Sequence, residues 1–211
     1  MEQELVGTER FGFKCLPTGV KTPIAADYRP QIDATEELDM DDWNYYQRLV
    51  GILRWICKLG RLDIVMPVPL MSWHLAKARR GHFNQVLYLL TYLKQHGRSK
   101  LVFDAKVPRV SDGSFTQCVW EEFYPGAKIE ISPDAPESLG MVVTMGCFAY
   151  VNFVDCKATR CSHTGVIIFL NNASIIWFSK RQAIVKTLTF GSEIVAMRIV
   201  AELVEGLHYK L

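Results

Sequence analysis

Two short apolar runs, TGVIIFL (Thr164–Leu170) and ASIIWFSK (Ala173–Lys180), follow MVVTMGCFAYVNFV (Met141–Val154) and precede TFGSEIVAMRIVAELVEGLHYKL (Thr189–Leu211). The first three are rich in β-branched and aromatic residues and read as strands. The fourth is amphipathic at helical spacing. Ala196, Met197, Val200, Leu203 and Val204 form the stripe expected to face the sheet. Three antiparallel strands followed by one long helix are expected here, and the class is α+β.

Upstream, the pattern is helical. Asp41 and Asp42 suit a helix N-terminus. Tyr46, Leu49, Val50, Leu53, Ile56 and Cys57 then recur on one face as far as Gly60, a C-cap residue. A second helix is expected from Pro69 to Lys77, and a third over HFNQVLYLLTYLKQH, with Phe83, Val86, Leu87, Leu90 and Leu93 inward and Gly97 at its end. Residues 1–40 carry prolines and acids without period and read as an irregular lead-in. Residues 103–140 read as a connector docked through Trp120, Phe123 and Tyr124. The expected order is therefore lead-in 1–40, helical region 41–102, connector 103–140 and βββα unit 141–211.

Composition excludes little. The chain has 211 residues, 49% hydrophobic, enough for one large domain or two small ones. A net charge of +2 does not by itself argue for nucleic-acid binding, so a basic surface has to be local. Six cysteines without framework spacing, and no charged-then-apolar leader, point to reduced thiols in an intracellular protein, cytoplasmic or nuclear. TGVIIFL is too short to span a bilayer, so no membrane partner is expected.

Five phrases, in order, resemble the polymerase polyprotein of copia-type LTR retrotransposons. Tyr45-Tyr46-Gln47-Arg48-Leu49-Val50-Gly51-Ile52-Leu53-Arg54-Trp55 with Gly60-Arg61-Leu62-Asp63-Ile64 is similar to the family's YYQxLIGxLRW…GRxDI block. Gly81-His82 and Tyr92-Leu93-Lys94 are similar to the last helix of that region. Arg160-Cys161-Ser162-His163-Thr164-Gly165, Trp177-Phe178-Ser179-Lys180-Arg181-Gln182 and Thr189-Phe190-Gly191-Ser192-Glu193 resemble RRSHTG, W-[FY]-SK-[RK]-Q and STFGSE. The resemblance implies a helical thumb/connection unit of a reverse transcriptase, followed by the opening βββα of an RNase H-like domain. It implies a truncated remnant, whose polymerase carboxylates lie upstream in the family and whose later RNase H elements lie beyond Leu211.

The same resemblance implies an ancestral hydrolysis of RNA in RNA–DNA hybrids with Mg2+. That chemistry uses two divalent ions held by several carboxylates, and loss of one ligand is damaging. Glu193 falls where the family places a metal-binding Glu. For the first-strand Asp, two alignments stand: one puts Asn152 there and the other Asp155. Glu193 and Asp155 are thus the implied catalytic and metal-binding pair, in a site expected to be inactive with no ion productively bound. Lys180, Arg181 and Lys186 are candidates for backbone phosphates of a hybrid, and Arg79, Arg80 and His82 for a second patch. Against them stands the plainer reading of solvated turns. Cys147, Cys156, Cys161 and His163 lack any CxxC spacing, which argues against structural zinc. His74 and His82 have no acid or nucleophile at informative spacing, and no GxxxxGK phosphate loop is present. A binding protein that does not cleave, or an inert one that self-associates through an open sheet edge, are the alternatives.

Overall fold

The computed structural model describes residues 19–108, 120–126, 133–134, 143–152 and 159–208. Helices α1 (Met40–Lys58), α2 (Pro67–Ser72) and α3 (Arg80–Gln95) make the first unit. A short α4 (Trp120–Phe123) follows, then strands β1 (Met145–Asn152), β2 (His163–Leu170) and β3 (Ala173–Arg181), and finally α5 (Thr189–His208). The class is mixed α and β.

α1 begins where Asp39 accepts from the Asp42 amide through its side chain at 2.8 Å, with Asp41 and Asp42 in the first turn, as the sequence suggested. It ends at Gly60, whose φ of +107° only glycine takes without strain, and whose missing Cβ leaves room for Leu101. Tyr46, Leu49, Val50 and Leu53 are buried along one face of α1, meeting Phe83, Val86, Leu87, Leu90 and Leu93 of α3 in one cluster. Each such side chain is worth roughly 1.5–3 kcal/mol of burial, so this cluster dominates the unit. The Tyr46 hydroxyl donates to the Met71 carbonyl at 2.8 Å, fastening α2 to α1. α2 is shorter than expected and starts earlier. Pro67 and Pro69 open it, where missing amide hydrogens cost nothing.

The stretch before α1 is more than a lead-in. Val20 and Pro30 are buried, and residues 23–38 lie along the start of α3 as a strap. Arg80 N donates to Glu36 O, Leu38 N to Ala78 O, and the Gly81 amide to Thr35 Oγ1. The Arg79 guanidinium donates to Thr35 O at 2.6 Å, and Gln85 Nε2 to Pro23 O at 3.3 Å.

The sheet is antiparallel in the order β1-β2-β3. β2 and β3 close through a two-residue turn in which Asn171 takes φ +55°, a conformation asparagine tolerates. The Asn171 side chain accepts from Thr144 N and donates to Ala105 O, tying the turn to the start of β1 and to the connector. On one face Thr164, Val166 and Ile168 are buried beneath α5, which packs on β1 and β2. On α5 Ser192 and Ala196 are buried, and Val195, Ile199, Val200, Leu203 and Val204 half-buried. Met197, expected in that stripe, is 68% exposed. The helix is rotated so that Met197 joins Phe190 and Ile194 on the outer side. Phe123 and Tyr124, expected to dock the connector, are also exposed, at 66% and 62%; the Trp120 side chain lies outside the described residues. Among the described residues β1 and β3 pair only with β2, and no helix is long and apolar enough to cross a membrane.

Candidate functional site

Three of the phrases singled out above, around Ser162-His163-Thr164, Lys180-Arg181-Gln182 and Gly191-Ser192-Glu193, are separated in sequence and meet at the head of α5. The Gln182 amide nitrogen Nε2 donates both to Thr164 Oγ1 at 3.0 Å and to Ser192 O at 2.9 Å. Its backbone N–H donates to Ser162 O at 2.8 Å, continuing the β2–β3 ladder by one rung. The Ser162 and Ser192 hydroxyls share a hydrogen bond of 3.1 Å. All four side chains are buried. A buried polar group unpaired costs more than a paired one returns, so these bonds fix the helix on the sheet, although Gln182 Oε1 is itself buried without a partner among the described residues.

The network decides where Glu193 lies. Ser192 and Ala196 point inward one turn apart, so Glu193 sits about 100° round the helix from Ser192, at the rim of the buried stripe. It is exposed. α5 starts at Thr189, which puts Glu193 at the beginning of the second turn rather than in the first. A Glu there gains little from the helix dipole, which fades beyond the first turn.

Asn152 does not approach it. Alternate residues of β1 share a face, and Asn152, Phe148 and Tyr150 line a cleft of about 580 Å3 with His163, Gly165 and Ile167, on the side of the sheet away from α5. Asp155 lies outside the described residues. Among the described residues no group of three or more His, Cys, Asp or Glu could hold a metal ion. Among the described residues the donor set, one exposed carboxylate with an amide on the opposite face, does not fit a pair of hard cations.

The three candidate cations divide between two faces. Lys180 pairs with Thr164 in register, which puts it on the α5 side. The stem of Lys186 lies against Gly191 in the first turn of α5. Arg181 is on the other face, its guanidinium 4.7 Å over the Trp73 ring. Trp73 also stacks on His163, centroids 4.4 Å apart. With the Trp177 indole donating to Cys57 O at 3.0 Å, these contacts join the helical unit to the sheet. Arg79 and Arg80 are held within the chain, by Thr35 and Glu37 and by Asp42 and Glu36. Of the cysteines considered for zinc, Cys161 is buried with its thiol on Thr159 O, Cys147 is half-buried, and Cys156 lies outside the described residues.

A second cluster has no counterpart in the sequence reading. His82 Nδ1 accepts from Arg79 N at 2.9 Å, which places the proton on Nε2, 3.1 Å from Pro30 O. The His82 ring stacks on His74 at 4.1 Å, and its Nε2 is 3.9 Å from Asp33 Oδ2. Histidines without a nearby acid in sequence thus find one in the strap. Burial raises the Asp33 carboxyl, but the Thr35 hydrogen bonds, with His82 and Arg79, outweigh it and hold it below the usual carboxylate range. Burial lowers His74 to about 4, with His82 and Arg181 adding to the effect and Asp33 opposing it. His82 is lowered too, chiefly by burial, so both rings are neutral at pH 7.

The sign follows from linkage. A histidine whose folded pKa lies below 6.5 contributes stability in full above 6.5 and loses it as the pH falls toward 4. We expect the urea midpoint to drop between pH 7.5 and pH 4.5 by about 1–2 kcal/mol in free energy, after allowance for the partial exposure of His74. His74→Gln should remove much of that slope. A slope of the same size in the variant would assign it to other groups.

No protein-family model, no curated protein and no solved structure matches this chain.

Proposed function

We propose that the chain is a remnant of a copia-type retrotransposon polymerase polyprotein, a thumb/connection-like helical unit with an RNase H-like βββα, and that it does not cleave RNA–DNA hybrids. The observation carrying this reading is the meeting of the Ser162-His163-Thr164, Lys180-Arg181-Gln182 and Ser192-Glu193 phrases at the head of one helix. Residues that resemble one family's signatures also cooperate in one hydrogen-bonded cluster, and that cluster presents Glu193 at its rim. Asn152, on the opposite face, supports the absence of cleavage. Incubation of a labelled hybrid with the purified chain in Mg2+ or Mn2+ should leave it intact. Cutting that disappears in Glu193→Gln would overturn the reading.

A second reading, binding without cleavage, is favoured by one observation. Lys180 and Lys186 are both placed on the α5 side of the sheet, flanking the head of that helix. Two phosphate contacts there would give hybrid affinity that falls with salt by a log–log slope of about 2. Lys180→Gln with Lys186→Gln should flatten that slope, and an unchanged slope would remove these residues from the interface.

A further inference from the structure

Two clefts run along the seam between the helical unit and the sheet, sharing Val65, Trp177, Phe178 and Ser179 as walls. The one beneath the C-terminal half of α1 has a volume of about 470 Å3, within the range of small-molecule sites. Its walls are apolar, formed by Val65, Val68, Pro69, Ile175 and Trp177. Among the described residues its only charged lining residues are Arg54 and Lys58, both exposed and one turn apart on α1. Among the described residues neither is in an ion pair, whereas Arg61, Arg79, Arg80 and Arg198 all are. Lys58 is explained in part by the C-terminus of the helix, which favours a cation. Arg54 stands a turn earlier, and like charges at this spacing repel each other. The Cys57 thiol between them is pushed up to about 11 by burial, so it adds no negative charge at neutral pH.

We propose that this cleft binds a small amphipathic anion. Its carboxylate or sulfate head sits between Arg54 and Lys58, and its single apolar body lies on Trp177, Val65, Val68 and Ile175. Charge complementarity selects the head: among the described residues two cations and no carboxylate line the cleft, so neutral and cationic amphiphiles of equal length lose the head contact or meet repulsion. A charge-assisted contact to a guanidinium is stronger than a neutral one. The Trp177 indole N–H, held on the Cys57 carbonyl at 3.0 Å, marks the wall and reports occupancy. The inference is independent of the nucleic-acid reading, and its failure would leave that reading intact.

The test is titration of the full chain with dodecanoate below its micelle concentration, following the Trp177 indole resonance assigned with Trp177→Phe. The expected result is a saturable shift, with affinity about tenfold weaker in Arg54→Gln/Lys58→Gln, a change of about 1.4 kcal/mol. Dodecanol and dodecyltrimethylammonium should bind at least as weakly as dodecanoate does to that variant. Val65→Trp, which fills the cleft, should abolish the shift while the chain keeps its circular dichroism and melting temperature. An unmoved Trp177 resonance in folded protein would overturn the proposal. So would dodecanol binding as tightly as dodecanoate, since the cleft would then be an apolar surface without preference for anions.

Discussion

Gly81→Ala should destabilise the chain by about 3 kcal/mol, opposite in sign to the usual benefit of replacing glycine by alanine in a helix. Gly81 is in the first turn of α3, and a Cβ there would run into the Asp33 carboxylate, its Cγ at 2.7 Å. Asp33 is short and cannot swing aside cheaply. Its Oδ1 accepts from both the amide and the hydroxyl of Thr35, at 2.9 and 2.6 Å, and Thr35 in turn receives the Gly81 amide and the Arg79 guanidinium. Moving it unfastens the strap that His82 and Gln85 also hold. The mechanism makes a further demand. In an Asp33→Ala background the space is clear, so adding Gly81→Ala should cost little, and the pair should be strongly non-additive in urea unfolding. Additive costs would mean that strain lies elsewhere in the turn.

Gln182→Met should cost about 2–3 kcal/mol, although it preserves volume and removes no charge. The side chain is 5% exposed, and its one amide nitrogen serves both the Ser192 carbonyl and the Thr164 hydroxyl. Among the described residues methionine takes the only side-chain donor from both: the Thr164 hydroxyl loses its Gln182 partner, and the Ser192 carbonyl keeps only its intrahelical amide. The loss should be local first: amide exchange at residues 191–196 should quicken more than in β2. Ser162→Ala or Ser192→Ala alone should cost about 1 kcal/mol, and the double variant little more than either single one, since their hydroxyls bond each other. Unchanged exchange at the head of α5 in Gln182→Met would mean that apolar packing at Ala196 alone sets the helix.

Much of the fold was legible because its long elements are periodic. Tyr46, Leu49, Val50 and Leu53 of α1 recur at helical spacing, as do Phe83, Val86, Leu90 and Leu93 of α3, and all are buried. The strands of apolar and aromatic runs fall within a few residues of expectation. What periodicity cannot carry is contact at a distance. Residues 19–39 have no pattern, yet they pack on α3 through hydrogen bonds spanning some forty to sixty positions. The same holds for Trp73 on His163 and Trp177 on the Cys57 carbonyl.

At the candidate site, the phrases singled out in the sequence meet in space, but the hydrogen-bonding roles of their residues were not legible. A polar Gln182 after a strand and two serines read naturally as solvated, and only the antiparallel register brings Ser162, Thr164 and Gln182 under Ser192. The alternation of β1 then separates Asn152 from Glu193, which no linear alignment could do. Lys180 and Arg181, adjacent in sequence, part to opposite faces for the same reason.

The most direct test of the proposed reading, in which hydrogen bonds organise the head of α5 and no metal pair assembles there, is Mn2+ titration of the 15N-labelled chain. Paramagnetic broadening at the amides around Glu193 should be no greater than around Glu202, an exposed carboxylate on the same helix, and should not saturate at micromolar Mn2+. Selective, saturable broadening at Glu193 that is lost in Glu193→Gln would contradict the account and place a working ion site there.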